Sequence, residues 1–199
     1  MLDKMSENNI KDKIIEAATK LFERKGYHST TIQEISIESG ISKGGLFHYY
    51  KSKEEILFRI HEIIVDYELS RVEIVLNKNL DTLQTLKELI EEHVESIGKF
   101  KSFLTVFYQE KKSITDSKKV SSINEKRGKY ESIFLSLVEK GINNGELRAD
   151  INPVIIVKTI LGTCNWSYQW LSPEGSIAPK DIGSIFWNII FNGIRKDPI

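Results

Sequence analysis

Apolar residues recur every three to four positions along nearly the whole chain, and runs of strict alternation long enough for strands are scarce, so the pattern predicts an all-α protein. Ile14, Ala18, Leu21 and Phe22 share one face of a first helix that should stop near Gly26, a residue suited to a C-terminal cap. A second helix opens at Thr31. There Thr31-Ile32-Gln33-Glu34 fits a capping box, in which the threonine oxygen takes the amide three residues on and the glutamate reaches back. It ends at Gly40. A short third helix should run from Ser42 to about Tyr49, and Ser52-Lys53-Glu54-Glu55 supplies a second capping box for a long fourth helix. Ile56, Leu57, Ile60, Ile64 and Tyr67 form its apolar face. Further helices are predicted at about 81–98, 101–112, 117–143, 153–171 and 179–196, about nine in all. Pro153 and Pro179 suit first helical turns, where the missing amide costs nothing.

The chain has 199 residues, 40% of them apolar and 28% charged, which is enough to bury a core and ordinary for a globular protein. No apolar run approaches the roughly 18 residues of a membrane span. The segment Met1–Asn9 is polar with no signal-like core, and Cys164 is the single cysteine, so a cytoplasmic protein without an intrachain disulfide or membrane attachment is expected. Formal net charge is zero, which argues against holding nucleic acid by bulk positive charge. The distribution changes that picture. Ser39 to Lys53 contains Lys43, His48, Lys51 and Lys53 and no carboxylate; residues 54–98 then carry eleven acids against four bases, and residues 99–129 nine bases against three acids.

Two short helices separated by Gly40-Ile41, the second opening with a hydroxyl residue and a lysine, make a helix-turn-helix pattern. Ile35 and Ile41 can pack the two helices together. Ser42, Lys43, Gly44, Gly45, Phe47 and His48 are then left near the exposed start of the second, where small residues let backbone approach DNA and an aromatic ring can touch a thymine methyl.

The residues that carry a family resemblance are Ala17-Ala18, Leu21-Phe22, Gly26-Tyr27, Thr30-Thr31, Glu34-Ile35, Ser39 to Gly44, Leu46 to Tyr50 and Lys51 to Glu55. Together they resemble the TetR family of bacterial transcription regulators. The resemblance implies a DNA-binding head over residues 1–53 and a ligand-binding and dimerisation body over 54–199. It also implies phosphate contacts from Thr31, Tyr49 and Lys53, with Ser42, Lys43, Gly44, Gly45, Phe47 and His48 as the recognition surface. The chain departs from the family pattern at Phe47, where tyrosine is commoner, and at Gly45, where a small hydroxyl residue or alanine is.

Too many apolar positions fall around the last two predicted helices for one internal face, so each can bury one stripe in its own subunit and another against a partner across a two-fold axis. A homodimer through about 153–171 and 179–196 is expected, and with it a palindromic double-stranded operator. Phe103, Phe107 and Phe134, together with Asn165, Trp166 and Trp170, are the candidate lining of an effector cavity; the two tryptophans, one turn apart, can instead be core or dimer packing. The stretch Leu161–Gly175 resembles the C-terminal signature of a TetR subgroup responsive to fatty acyl-CoA. The basic block of Lys99, Lys101, Lys111, Lys112, Lys118, Lys119, Lys126, Arg127 and Lys129 offers either a seat for CoA phosphates or solvated helix faces.

The function expected is therefore a repressor released by a hydrophobic effector, either an acyl-CoA or another hydrophobic drug or metabolite. A helical lipid carrier that binds no DNA is the alternative of another class. An enzyme has little support: His28, His48, His61 and His93 are dispersed, Cys164 has no neighbouring histidine, and no catalytic residue, metal-ligand cluster or cofactor loop is expected. His61 and Glu62 read as solvent-facing, and Cys164 as a small buried residue.

Overall fold

The computed structural model describes the backbone of residues 2–196 and side chains from Asn9 to Lys196. Among these the protein forms nine α-helices: α1 (Leu2–Lys25), α2 (Ile32–Ser39), α3 (Lys43–Tyr49), α4 (Lys53–Leu76), α5 (Thr82–Lys99), α6 (Lys101–Gln109), α7 (Ser117–Asn143), α8 (Pro153–Trp166) and α9 (Pro179–Ile194). An isolated antiparallel bridge joins Leu147 to Arg195. No helix of the described residues is long and apolar enough to cross a membrane.

The chain divides into two compact units, residues 1–64 with 102–123, and residues 65–101 with 124–199. In the first, Ile14, Ala18 and Phe22 of α1 bury against Ile35, Leu46 and the α4 residues Ile56, Leu57 and Ile60. Val106 of α6 and Ile114 join the same core. The helix-turn-helix is thus completed by residues 102–123, distant in sequence, which no local periodicity announces. In the second unit, α5 is the central helix: its stripe of Leu86, Leu89, Ile90 and Val94 packs with Phe134 and Val138 of α7, Ile156 and Ile160 of α8, and Trp187 and Ile190 of α9.

The caps explain where helices begin. Thr31 Oγ1 accepts the Glu34 amide at 3.2 Å while Glu34 Oε2 accepts the Thr31 amide at 2.8 Å, a complete capping box. Gly40 ends α2 in the left-handed region, at φ 69°. At Ser52 the expected second box is only half formed: Ser52 Oγ accepts the Glu55 amide, but Glu55 Oε2 reaches one residue further back, to the Lys51 amide at 2.6 Å.

Three further expectations are corrected. The helix predicted over 101–112 stops at Gln109, because the Glu110 carboxylate turns to accept the Tyr27 amide and the Ser113 hydroxyl. The helix predicted over 153–171 gives way at Ser167 to a 3₁₀ turn over Ser167–Gln169, with the Ser167 hydroxyl bonded to the Cys164 carbonyl. His61 is not solvent-facing; it is 2% exposed, with its ring 4.7 Å from that of Phe107. Cys164 is fully buried, as expected, and burial pushes its thiol up to about 12.

The approach of α9 to α5 depends on Gly183. A Cβ there would lie 2.7 Å from Glu91 Cα and 3.4 Å from Ile90 O, both backbone atoms of a helix that cannot rotate out of the way. Alanine would gain about 1 kcal/mol of helix propensity but forces the helices apart, so Gly183→Ala is expected to destabilise the fold by about 1–3 kcal/mol in urea unfolding. A variant as stable as the parent would show that α5 and α9 separate without cost.

Candidate functional site

The turn between α2 and α3 is built from small groups. Ser36 Oγ donates to the Ile41 carbonyl at 2.6 Å, and Ser42 caps α3 by accepting the Gly45 amide at 3.1 Å. A Cβ at Gly45 would lie 3.1 Å from Ile41 Cγ2 and 3.2 Å from Ser42 Oγ, so glycine lets the cap and the turn close together. Leu46 is fully buried and anchors α3, which leaves Ser42, Lys43, Gly44, Phe47 and His48 exposed, with Gly45 and Tyr49 half-buried. The structure thus brings the predicted recognition residues onto one short helix with its N-terminal turn open. His48 and Tyr49 meet edge to face at 5.0 Å.

The residues resembling phosphate contacts are arranged less uniformly. Thr31 is exposed at the start of α2, and its hydroxyl donates to Glu34 Oε2. The side-chain hydrogen bond from Lys25, with those from Thr31, holds Glu34 down at about 2, so its carboxylate is ionised but committed to the cap and to Lys25. Lys51 Nζ donates to the Phe47 carbonyl at 3.3 Å. Lys53 Nζ donates to the Tyr27 and Thr30 carbonyls at 2.6 and 2.7 Å and lies 3.4 Å from that of His28. Two of the lysines in the acid-free window therefore bond to backbone carbonyls.

The candidate effector residues do not form one cluster. Phe103 and Phe107 belong to the first unit; Phe103 packs against its core, and Phe107 is buried with its ring against that of His61. Phe134 and Asn165 lie in the second, Phe134 fully buried with its ring 5.2 Å from that of Tyr130. Trp166 and Trp170 are 64% and 52% exposed, and Trp170 meets Phe186 edge to face at 6.1 Å. A surface cleft of about 200 Å³ between α7 and α8, lined by Gly128, Glu131, Ser132, Leu135, Val154, Val157 and Lys158, includes none of the six. Within the basic block, Lys101 donates to the Leu171 carbonyl, Lys126 pairs with Asp66, and Lys99 sits near the rings of Tyr67 and Phe100.

Sequence reading missed a buried polar hub in the second unit. His93 Nε2 donates to Asn165 Oδ1 at 2.8 Å, and Nδ1 lies 2.7 Å from the Tyr130 hydroxyl and 3.4 Å from Glu68 Oε2. Ser96 Oγ donates to the other Glu68 oxygen at 2.5 Å. Burial opposes charge on His93, but the Glu68 carboxylate and the hydrogen bonds outweigh it, and the pKa is raised. The hub joins α4, α5, α7 and α8. Its signal lay in the spacing: His93 falls seven residues after Leu86 and four before Ile97, on the apolar stripe of α5. No group of three His, Cys, Asp or Glu side chains that could hold a metal occurs among the described residues.

On α8 and α9 the inward stripes are buried, while Ile155 and Trp166 on one helix and Ile185 and Ile189 on the other are 43–67% exposed. On α8 and α9 respectively, Gly162 and Gly193 have open space where a Cβ would stand.

Two family models match the chain. Residues 14–60 match the model described as "Bacterial regulatory proteins, tetR family", and residues 79–194 the one described as "Tetracyclin repressor-like, C-terminal domain". The HTH-type transcriptional repressor KstR2 of Mycobacterium tuberculosis is 22% identical over 192 residues, covering 96% of both chains. The solved structure of that ketosteroid regulator superposes with a TM-score of 0.87, covering 94% of this chain and 95% of the other. AibR, solved in complex with isovaleryl coenzyme A and operator DNA, is 21% identical, with a TM-score of 0.81 and coverage of 92% and 98%.

Proposed function

The chain belongs to the TetR family of bacterial transcription regulators, and on that premise we propose that it is a homodimeric repressor of a palindromic operator, released by a hydrophobic effector. The observation that carries the reading is α3: Leu46 is buried while Lys43, Gly44, Phe47 and His48 face solvent at an uncluttered N-terminal turn, the geometry a recognition helix needs in a major groove. Thr31 and Tyr49 would flank it with phosphate contacts. Residues 1–53 supply the DNA-reading part and 54–199 the sensing and dimerising part. The doubled apolar stripes of α8 and α9 support an isologous dimer, whose two α3 helices must then reach grooves a helical turn, or a multiple, apart.

The effector is read as a coenzyme A thioester, a fatty acyl-CoA among them. This rests on the segment Leu161–Gly175 and on the likeness to a regulator solved with such a thioester. Asn165 and Phe134 would meet it within the second unit. An effector changes operator affinity only by preferring one arrangement of the heads, and α4, whose residues belong to both units, is the proposed lever.

Selecting operators from random duplexes and titrating the winner with palmitoyl-CoA tests the reading. The expected result is an enriched palindrome, bound with steep salt dependence, whose affinity collapses with palmitoyl-CoA but not with palmitate. A palindrome indifferent to the thioester would keep the regulator and replace its effector by another hydrophobic drug or metabolite. No enrichment at low salt would favour the non-DNA-binding lipid carrier.

A further inference from the structure

Lys53 stands at the first turn of α4, and its ammonium is engaged with main-chain carbonyls. It points into the turn that joins α1 to α2. Its three hydrogens are matched by three carbonyls, those of Tyr27, Thr30 and His28, at 2.6, 2.7 and 3.4 Å, and it sits 4.3 Å from the centre of the Tyr27 ring. Glu110 holds the same turn from its amide side, accepting the Tyr27 N–H at 2.9 Å. A cation on the carbonyls and an anion on the amide thus clamp one short turn. Residue 31, which follows immediately, is the N-cap of α2.

We propose that Lys53 is a positioning residue for DNA binding: by holding the carbonyls of Tyr27 and Thr30 it fixes the N-terminus of α2 against the start of α4, and it does not itself contact phosphate. The inference rests on the DNA-binding reading above. An ammonium that left these carbonyls for a phosphate would strand acceptors at Thr30, a residue 1% exposed, and a stranded buried acceptor costs more than a typical hydrogen bond returns. Burial lowers the lysine's pKa, with Glu110 and Glu34 opposing, in keeping with a half-buried amine. The first turn of α2, with Thr31 exposed at its N-cap, is then the group that meets the backbone of the duplex.

The test is Lys53→Met, which keeps the length of the side chain and removes its donors, measured with the selected operator by fluorescence anisotropy. Titrations run between about 50 and 200 mM salt, at a temperature where circular dichroism finds the variant folded. A positioning role predicts affinity lower by about tenfold at every salt concentration, with the slope of log K against log salt unchanged and most of the affinity recovered in Lys53→Arg. Direct phosphate binding predicts instead a slope shallower by about 0.9 for each phosphate no longer neutralised, and would overturn the proposal. Unchanged affinity in the folded variant would overturn it too, reducing Lys53 to a stabilising residue. If Lys53→Met does not fold, Lys53→Gln, whose amide can still donate to one carbonyl, is read by the same criteria. A parent protein that selects no operator would defeat the regulator reading and this one together, whereas a failure confined to Lys53 leaves the regulator standing.

Discussion

Ile189→Glu is expected to turn the protein into a monomer and to cut operator affinity by roughly 10²- to 10⁴-fold, the avidity that disappears when two half-sites are no longer bound by linked heads. Ile189 is 67% exposed on α9, and Ile185 on the same helix and Ile155 and Trp166 on α8 are exposed apolar residues as well. In an isologous interface the substitution appears on both sides of the two-fold axis, so two carboxylates are desolvated without partners, a cost that packing cannot return. Because the side chain is exposed within its own subunit, the helix content of the monomer should survive. Sedimentation gives the oligomeric state and anisotropy the operator affinity. A variant that remains a dimer with unchanged affinity would mean that α8 and α9 do not form the interface.

Glu68→Gln should reverse the pH dependence of stability. In the intact protein the pKa of His93 lies above the ordinary histidine value of 6.5, because Glu68 and the hydrogen bonds outweigh burial. The stability this contributes is complete below 6.5 and is lost as pH rises through the raised folded-state value. Glutamine removes the carboxylate and leaves burial as the dominant influence, so the folded-state pKa falls below 6.5 and stability declines as the pH is lowered instead. The slopes of urea midpoint against pH should therefore have opposite signs between about pH 5 and 8. Near pH 7 the destabilisation should be about 3–5 kcal/mol, the cost of breaking a buried ion pair from one side. Parallel profiles would show that His93 and Glu68 are not coupled as their 3.4 Å separation implies.

The hub matters beyond stability because its members come from four helices. Glu68 lies on α4 and Tyr130 on α7, and both meet at His93, while Asn165 attaches α8. At the other end of the same two helices, Glu54 of α4 accepts the Thr115 and Asp116 amides at 3.0 Å, immediately before α7 begins. The lever proposed for effector response is therefore tied to α7 in each unit separately.

Helix positions and the recognition surface were legible along the chain because both are written at short range. A 3.6-residue apolar period, Thr31 three residues before Glu34, and Gly40 next to Ile41 are local statements, and helix formation answers to local statements. The helix ends at Gln109 and Trp166 were not legible, since distant partners set one and a local hydroxyl bond the other: Tyr27 claims the Glu110 carboxylate, and Ser167 tightens the chain onto Cys164. Charge was equally deceptive at Lys53, where an acid-free window reads as a surface for phosphate although the ammonium bonds carbonyls more than twenty residues away.

By itself the sequence determined the all-α class, the helix-turn-helix and the doubled apolar stripes of α8 and α9, because each follows from the spacing of side chains on a single helix. Only the tertiary structure decided that residues 102–123 complete the core of the first unit, that His61 and His93 are buried, and that His93 gathers Glu68, Tyr130 and Asn165. Those outcomes depend on which helix faces which. That choice follows from close approaches such as Gly183 on Glu91 and from the need of every buried polar group for a partner, and neither constraint has a period along the chain.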